Sequence, residues 1–518
     1  MRTLFTPYLL AASLAFGGAA TTSTSAHDTQ HHADRLQQIP AASSSDALQR
    51  PIGLTAGAGK LHQRVTTTSA DAQAYYDQGV AYLHSYVWVD AARSFHEALR
   101  RDPNLAMAYL GLAKAYTGAE AYAEALQYAD KAVALAAQGR VTPKEAKWIA
   151  LGKQQLEATF APAAEHDRLH EAYKRAIDEL IVMDPADAHA WVLRGNAEES
   201  RVTGRGQGGG VGSIAYYQTA LTRDPHHWGA DHYLIHSYEG VGLYKEAAEH
   251  GAKYAAAAPA VPHASHMYAH VLPRLGRWEE ALKFLTKADA AQRAYFASSG
   301  IAPEDEWHHG HNLHLKGIVQ YRLGNDAAAE QLFQEAFALP VRSLRDGRFV
   351  DPLLEFLLVK GRFDAALAAA QEARKRDLTL ARFIGAVRGA EALIALGRPD
   401  EARQWRDDAE RLLAQFREEV KSHPLYQRLT DSYRGSHLEP LAWQLALATG
   451  DDVKAEGQLL EHAKRFVDRK GFDGWVTGLI RLEQLVQVAR QMKRDELARS
   501  LAGVLRQIDP QYGNRVGG

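Results

Sequence analysis

Six glycines spaced 34 to 53 residues apart are each followed, five residues on, by an alanine. The pairs are Gly242 and Ala247, Gly276 and Ala281, Gly324 and Ala329, Gly361 and Ala366, Gly397 and Ala402, and Gly450 and Ala455. A glycine that reverses the chain, followed by a small residue where two helices touch, punctuates a helix–turn–helix unit. The first two copies stand 34 residues apart, a period that belongs to a repeat array. The full length of 518 residues also exceeds what one hydrophobic core supports. Such a chain is constrained to stack units one on the next, each buried mainly against its neighbours. Abundant Ala, Leu and Tyr beside few Val and Ile make those units helical.

The same rhythm runs beyond these six. Gly79, Tyr82, Ala91, Phe95, Ala98 and Pro103 follow one another in unit order, as do Tyr109, Tyr116, Tyr122, Ala125 and Ala132. A last unit contains Lys493 to Ala498 and ends at Pro510. About eleven units fit between Ala72 and Pro510. Over that span the chain resembles the tetratricopeptide repeat (TPR) family. The resemblance implies an all-α, right-handed superhelical solenoid of antiparallel helix pairs. It also implies a concave groove lined by the first helix of each pair, which in most such arrays takes a peptide or partner protein.

Outside the repeats the sequence suggests a targeting segment. Arg2 and the apolar run from Tyr8 to Ala20 have the form of a secretory signal over residues 1–26, cleaved after Ala20 or Ala26. Residues 27–71, rich in Ser, Thr, Ala and Gln, read as a flexible leader, and residues 511–518 as a C-terminal tail. A periplasmic or secreted location is therefore expected. No later stretch reaches the roughly 18–20 apolar residues of a membrane span. There is no cysteine for a lipid anchor, a disulfide or a thiolate ligand, and a net charge of −2 gives no reason to expect nucleic acid.

Two insertions break the rhythm. Gly204 to Ser213 is glycine-rich but lacks the Gly-Lys-Ser/Thr ending of a phosphate loop, so it reads as a connector. Gln292 to His309 carries Glu304, Asp305, Glu306, His308 and His309. A long loop inside a repeat suggests a lid or a binding element.

The chemistry lies in the histidines. His232 and His236 are an i, i+4 pair on one helix face, and His266 and His270 repeat it 34 residues on. Each unit can be numbered from its own turn glycine, without reference to histidine. By the family resemblance, positions 2, 5, 9 and 12 of the first helix face the groove. His232 and His236 then fall at 5 and 9, His263, His266 and His270 at 2, 5 and 9, and His311 and His314 at 2 and 5. Seven of the nine places at positions 2, 5 and 9 of these three units are histidine, where 24 histidines in 518 residues put about 0.4 there by chance. Glu239 falls at position 12 of the fifth unit. Asp351 and Glu355 fall at 5 and 9 of the eighth.

Imidazole with carboxylate suits Zn, Fe, Cu, Mn or Ni. The expected metal ligands are His232, His236, His266, His270, His311 and His314. Glu239, His263, Asp351 and Glu355 are further ligands, or groups that orient the imidazoles. Metal-free, six close imidazoles would suppress one another's protonation and make a poor anion groove. His84, His96, His166, His170, His250 and His462 show no grouping and read as structural, and His226 and His227 as loop residues. The run from Pro225 to Gly324 also resembles exported bacterial TPR proteins with histidine pairs in consecutive repeats, a resemblance that brings no reaction with it. The expected function is an exported solenoid holding one or two transition-metal ions on its concave wall. Three roles stay open: a metal-dependent hydrolase or oxidase, metal delivery without turnover, and a peptide- or protein-binding scaffold without catalysis.

Overall fold

The computed structural model describes residues 39–510, except 200–206, 209, 424, 425, 427, 451 and 452, together with Tyr512. The signal segment, part of the glycine-rich connector and nearly all of the C-terminal tail lie outside the described residues. Eleven helix pairs follow one another among those described. The first joins Ala70–His84 to Trp88–Arg101, and the fifth joins Trp228–Val241 to Tyr244–Ala257. Pro262–Val271 with Trp278–Ser299 forms the sixth, and Trp307–Arg322 with Asp326–Ala338 the seventh. Phe472–Gln491 and Asp495–Ile508 close the series. The all-helical solenoid read from the glycines is the observed architecture.

The glycine positions show why the pattern works. Gly242, Gly276, Gly324, Gly361 and Gly397 all adopt φ between +67° and +85°, the left-handed conformation that reverses a helix into its partner. Three units place a side chain there instead: Tyr86 (φ +57°), Glu120 (φ +62°) and Lys493 (φ +59°). Within pairs, an aromatic ring of the second helix lies on a glycine of the first. A Cβ added at Gly79 would come 2.6 Å from Phe95, at Gly317 2.5 Å from Phe333, and at Gly389 2.1 Å from Trp405. The helices therefore approach too closely for any larger residue at these points.

The coil turns tightly enough to touch itself. Tyr254 donates a hydrogen bond to Ser85 Oγ at 2.9 Å, and the Tyr244 hydroxyl donates to the Lys470 carbonyl at 3.2 Å. Trp278 stacks on Trp475 with ring centres 5.8 Å apart. Units far apart in sequence thus touch one another directly.

Residues 40–69 are not the flexible leader that their composition suggests. They form a strap across the coil. Ser44 binds the Asp305 carboxylate through its N–H (2.6 Å) and its hydroxyl (3.1 Å). The Arg93 guanidinium donates to the carbonyls of Arg50 and Pro51 at 3.0 and 2.7 Å. Thr66 donates from N and Oγ1 to Glu145 at 2.6 and 2.5 Å. Leu48, Ala58, Leu61 and Val65 are buried, and a Cβ at Gly59 would strike the Trp228 ring at 2.6 Å. Four spaced apolar residues anchor the strap, while side chains of the solenoid satisfy its backbone.

The insertion at Gln292 to His309 is not a lid. Its first part extends the second helix of the sixth unit, which runs through Trp278–Ser299. A short turn follows, whose Asp305 holds the strap, and His308 and His309 already belong to the next helix, Trp307–Arg322. No described helix is long and apolar enough to cross a membrane.

Candidate metal centres

The first helices of the fifth, sixth and seventh units lie side by side, and the short repeat spacing brings their histidines together as two triads. In one, His232, His236 and His263 offer nitrogens within 4.8 Å of one another, and in the other His266, His270 and His311 do the same. Five of the six expected ligands belong to these triads. His263, expected as an accessory group, completes the first of them. His314 joins neither and faces Phe333 with ring centres 6.5 Å apart.

Hydrogen bonds outside each triad decide which ring nitrogen is available. The His84 carbonyl lies 2.6 Å from His232 Nδ1 and can only accept. The proton is therefore on Nδ1, and Nε2 keeps its lone pair, 3.2 Å from His263 Nε2. Bonds of about 2.0–2.1 Å to one tetrahedral ion place two nitrogens roughly 3.3 Å apart. His236 Nε2 and His263 Nδ1 are buried without a hydrogen-bond partner.

The second triad shows the same logic more completely. Asn312 Nδ2 donates to the Leu285 carbonyl at 3.3 Å, which turns its Oδ1 toward His266 Nδ1 at 3.0 Å. His266 Nε2 is thereby left as a bare acceptor, buried and unpartnered. Glu239 Oε1 holds His270 Nδ1 at 3.1 Å, so the acid expected near this site serves to orient an imidazole. His270 Nε2 meets Asp473 Oδ1 at 3.1 Å, and His311 Nε2 lies 3.8 Å from Asp473 Oδ2. Asp473 thus borders this triad, in contact with two of its three imidazoles.

Burial sets the protonation of these rings. It pushes His232 and His266 down to about 3, and His236, His263 and His311 well below the ordinary imidazole value. All five are neutral near pH 7, the form that ligates metal. His270 differs. Burial alone would lower it, but Glu239 and Asp473 hold it up at about 10. Burial would likewise raise the Asp473 carboxyl, yet His311 and His270 keep it well below the usual carboxylate range.

Tyr86 closes the first of these triads from the side. Its ring centre lies 4.7 Å from that of His232 and 5.5 Å from that of His263. The backbone twist at Tyr86, costing roughly 1–2 kcal/mol for a non-glycine residue, holds an aromatic ring against the triad.

A third triad, unforeseen in the sequence, joins His84, His189 and His227. These come from three units, and none forms an i, i+4 pair with another. His227 Nδ1 accepts the Ala230 N–H at 3.3 Å, so its Nε2 carries the proton and donates to His189 Nδ1 at 3.0 Å. His84 Nδ1 meets the Tyr233 hydroxyl at 3.0 Å. An ion there would have to displace the proton between His227 and His189, as one at the first triad would displace that between His263 and His232, and none of these three rings leaves a buried nitrogen without a partner.

Asp351 and Glu355 do not face the histidines. Arg388 Nε and Nη2 bind Asp351 at 2.6 and 2.9 Å, and Nη2 also binds Glu355 at 2.5 Å. Glu391, Arg481 and Gln484 continue this network in the core. Both carboxylates are committed to a guanidinium, so neither serves as the expected ligand. The clue in the sequence was an arginine and a glutamate three apart, Arg388 and Glu391, within an otherwise apolar helix. Asp473 gave no such clue: it lies 203 residues from His270, ahead of the register set by the last turn.

Comparison with known proteins fits the helical architecture. The tetratricopeptide repeat profile matches residues 88–140. The eleven helix pairs seen among the described residues follow the same helix–turn–helix plan as the matched repeat. No curated protein matches the sequence. Among solved structures, yeast Tom70 is similar at 12% identity and a TM-score of 0.39, covering 82% of this chain and 91% of its own. A tetratricopeptide repeat protein from Parabacteroides merdae gives 13% and 0.31, covering 55% and 99%. Cut9–Hcn1 of the APC/C gives 14% and 0.34, covering 85% and 78%. Scores this low transfer no function from those proteins.

Proposed function

We propose that this protein is an exported solenoid that holds transition-metal ions at the His232/His236/His263 and His266/His270/His311 triads, Asp473 completing the second. One observation carries the reading. Asn312 fixes His266 so that its Nε2 points, buried and unpartnered, at two further imidazoles. A buried acceptor left empty costs about 1–3 kcal/mol, and an ion shared among such acceptors removes that cost. Glu239 and the His84 carbonyl orient their imidazoles as outer partners do in metal sites. A mixed imidazole–carboxylate set favours Zn, Fe or Mn, and copper suits the all-imidazole triad. Three protein imidazoles leave a tetrahedral ion one open position for a water or a substrate atom. The residues that a groove-bound peptide would have to touch, His232, His266 and His270, are at most 7% exposed, which weighs against the scaffold reading.

Elemental analysis of the protein purified from its own compartment tests the proposal. The wild type is expected to carry at least one transition-metal ion per chain. Paired His236→Ala and His263→Ala substitutions should empty one centre, and His266→Ala should empty the other. A metal-free wild type from metal-replete cells would overturn the reading.

A further inference from the structure

A second feature lies beside the triads, on the inner side of the first four units. A cavity of about 180 Å³ is lined by Tyr76, Phe95, Met107, Leu110, Trp148 and, at one edge, Lys114. A pocket of this size is too small for drug-sized ligands, but an engineered apolar cavity of about 150 Å³ takes benzene. Apolar side chains make up most of the lining, with Gln155, Thr159 and Asn196 among the polar ones, so it suits one ring bearing a polar group. Lys114 is the anomaly. Among the described residues no carboxylate or hydrogen-bond acceptor pairs with it, and its ammonium faces only the Trp148 ring, 5.3 Å from the centre. Trp148 Nε1 is itself buried without a partner. Lys114 is half-buried, so its ammonium loses part of its hydration beside the apolar cavity with no counter-charge to offset it, and a bound anion would supply that charge. His84 and His189 also border the cavity.

We propose that this cavity binds a small aromatic carboxylate, its ring in the apolar pocket and its carboxylate paired with the Lys114 ammonium. Tyr86 and His84 lie between this cavity and the first triad, but none of the six triad imidazoles lines it. Burial pushes the Lys114 ammonium down to about 8, so it is charged at pH 7 and available for pairing.

Calorimetry on the full-length, chelator-stripped protein at pH 7 tests this, with benzoate and the uncharged, similarly sized benzyl alcohol as probes. Benzoate is expected to bind at least tenfold more tightly. Lys114→Met should weaken benzoate roughly 10- to 100-fold, as befits a charged hydrogen bond, and leave benzyl alcohol within about twofold. Retained benzyl alcohol binding shows that the variant is folded. Lys114→Arg should keep most of the benzoate affinity. Equal binding of both probes, binding of neither, or a Lys114→Met variant that holds benzoate as well as the wild type would each overturn the assignment. Benzoate binding that appears only after metal is restored would also overturn it, by placing the carboxylate on an ion.

Discussion

At Tyr86, Glu120 and Lys493 a side chain occupies a backbone conformation that five other turns give to glycine. The substitution is informative in both directions. Tyr86 uses the strain to hold its ring against His232 and His263, so its replacement by glycine should relax the turn while loosening that triad. At Lys493 no comparable contact depends on the side chain. Lys493→Gly is therefore expected to stabilise the last unit by about 0.5–1 kcal/mol, read as a higher urea midpoint at unchanged slope. Protonation at Lys114 gives a second residue-scale prediction. Since burial holds that ammonium near 8, benzoate affinity should be level below pH 7 and fall as pH rises through about 8. Benzyl alcohol affinity should stay flat. A titration by calorimetry in matched buffers checks the difference.

Elements divide sharply into those legible in the sequence and those that are not. The helix pairs were legible because each carries its own turn glycine and its own small residue under an aromatic ring, all within one period. The two central triads were legible for a related reason, since repeat spacing puts His232, His236, His266 and His270 on adjacent faces. Contacts made by closing the coil were not. The His84 carbonyl reaches His232 across 148 residues, and Asp473 reaches His270 across 203; no periodic signal marks either. Asp351 and Glu355 sat in the right register, yet Arg388 from the next unit claimed them. The strap was hidden by composition, because solenoid side chains pair its backbone and only a few apolar residues anchor it. Asp305→Ala should free its N-terminal end, leaving the Ser44 amide without its 2.6 Å acceptor at roughly 1–3 kcal/mol of local stability. Hydrogen exchange at residues 43–50 should accelerate, with the helix pairs unchanged.

For the whole molecule, closure makes stability and metal content one question. Ions that bind only the closed coil would stabilise it by mass action, about 2.7 kcal/mol at a hundredfold excess over Kd. Chelation should therefore lower the thermal midpoint, and restoring the right ion should recover it. Asp473→Asn should reduce that recovery, because this carboxylate joins the last unit to His270 and His311. A midpoint indifferent to chelator in both proteins would separate the coil's stability from any ion.

The strap also imposes an order in time. A cavity of about 720 Å³ runs beneath Pro51 to Thr55 and reaches His263 and His308, so the strap roofs one approach to a histidine triad. It is made before Trp228, Ala260 and Asp305, on which it also rests and which follow some two hundred residues later. Arg93 and Glu145 can hold it early, but its full set of contacts forms only after the sixth unit is made, and until then that approach is less firmly closed. An ion taken up in this interval would afterwards escape only as often as the strap lifts. Exchange of a loaded ion should then follow the opening rate of residues 40–69, and Asp305→Ala should speed release to a chelator far more than it changes affinity.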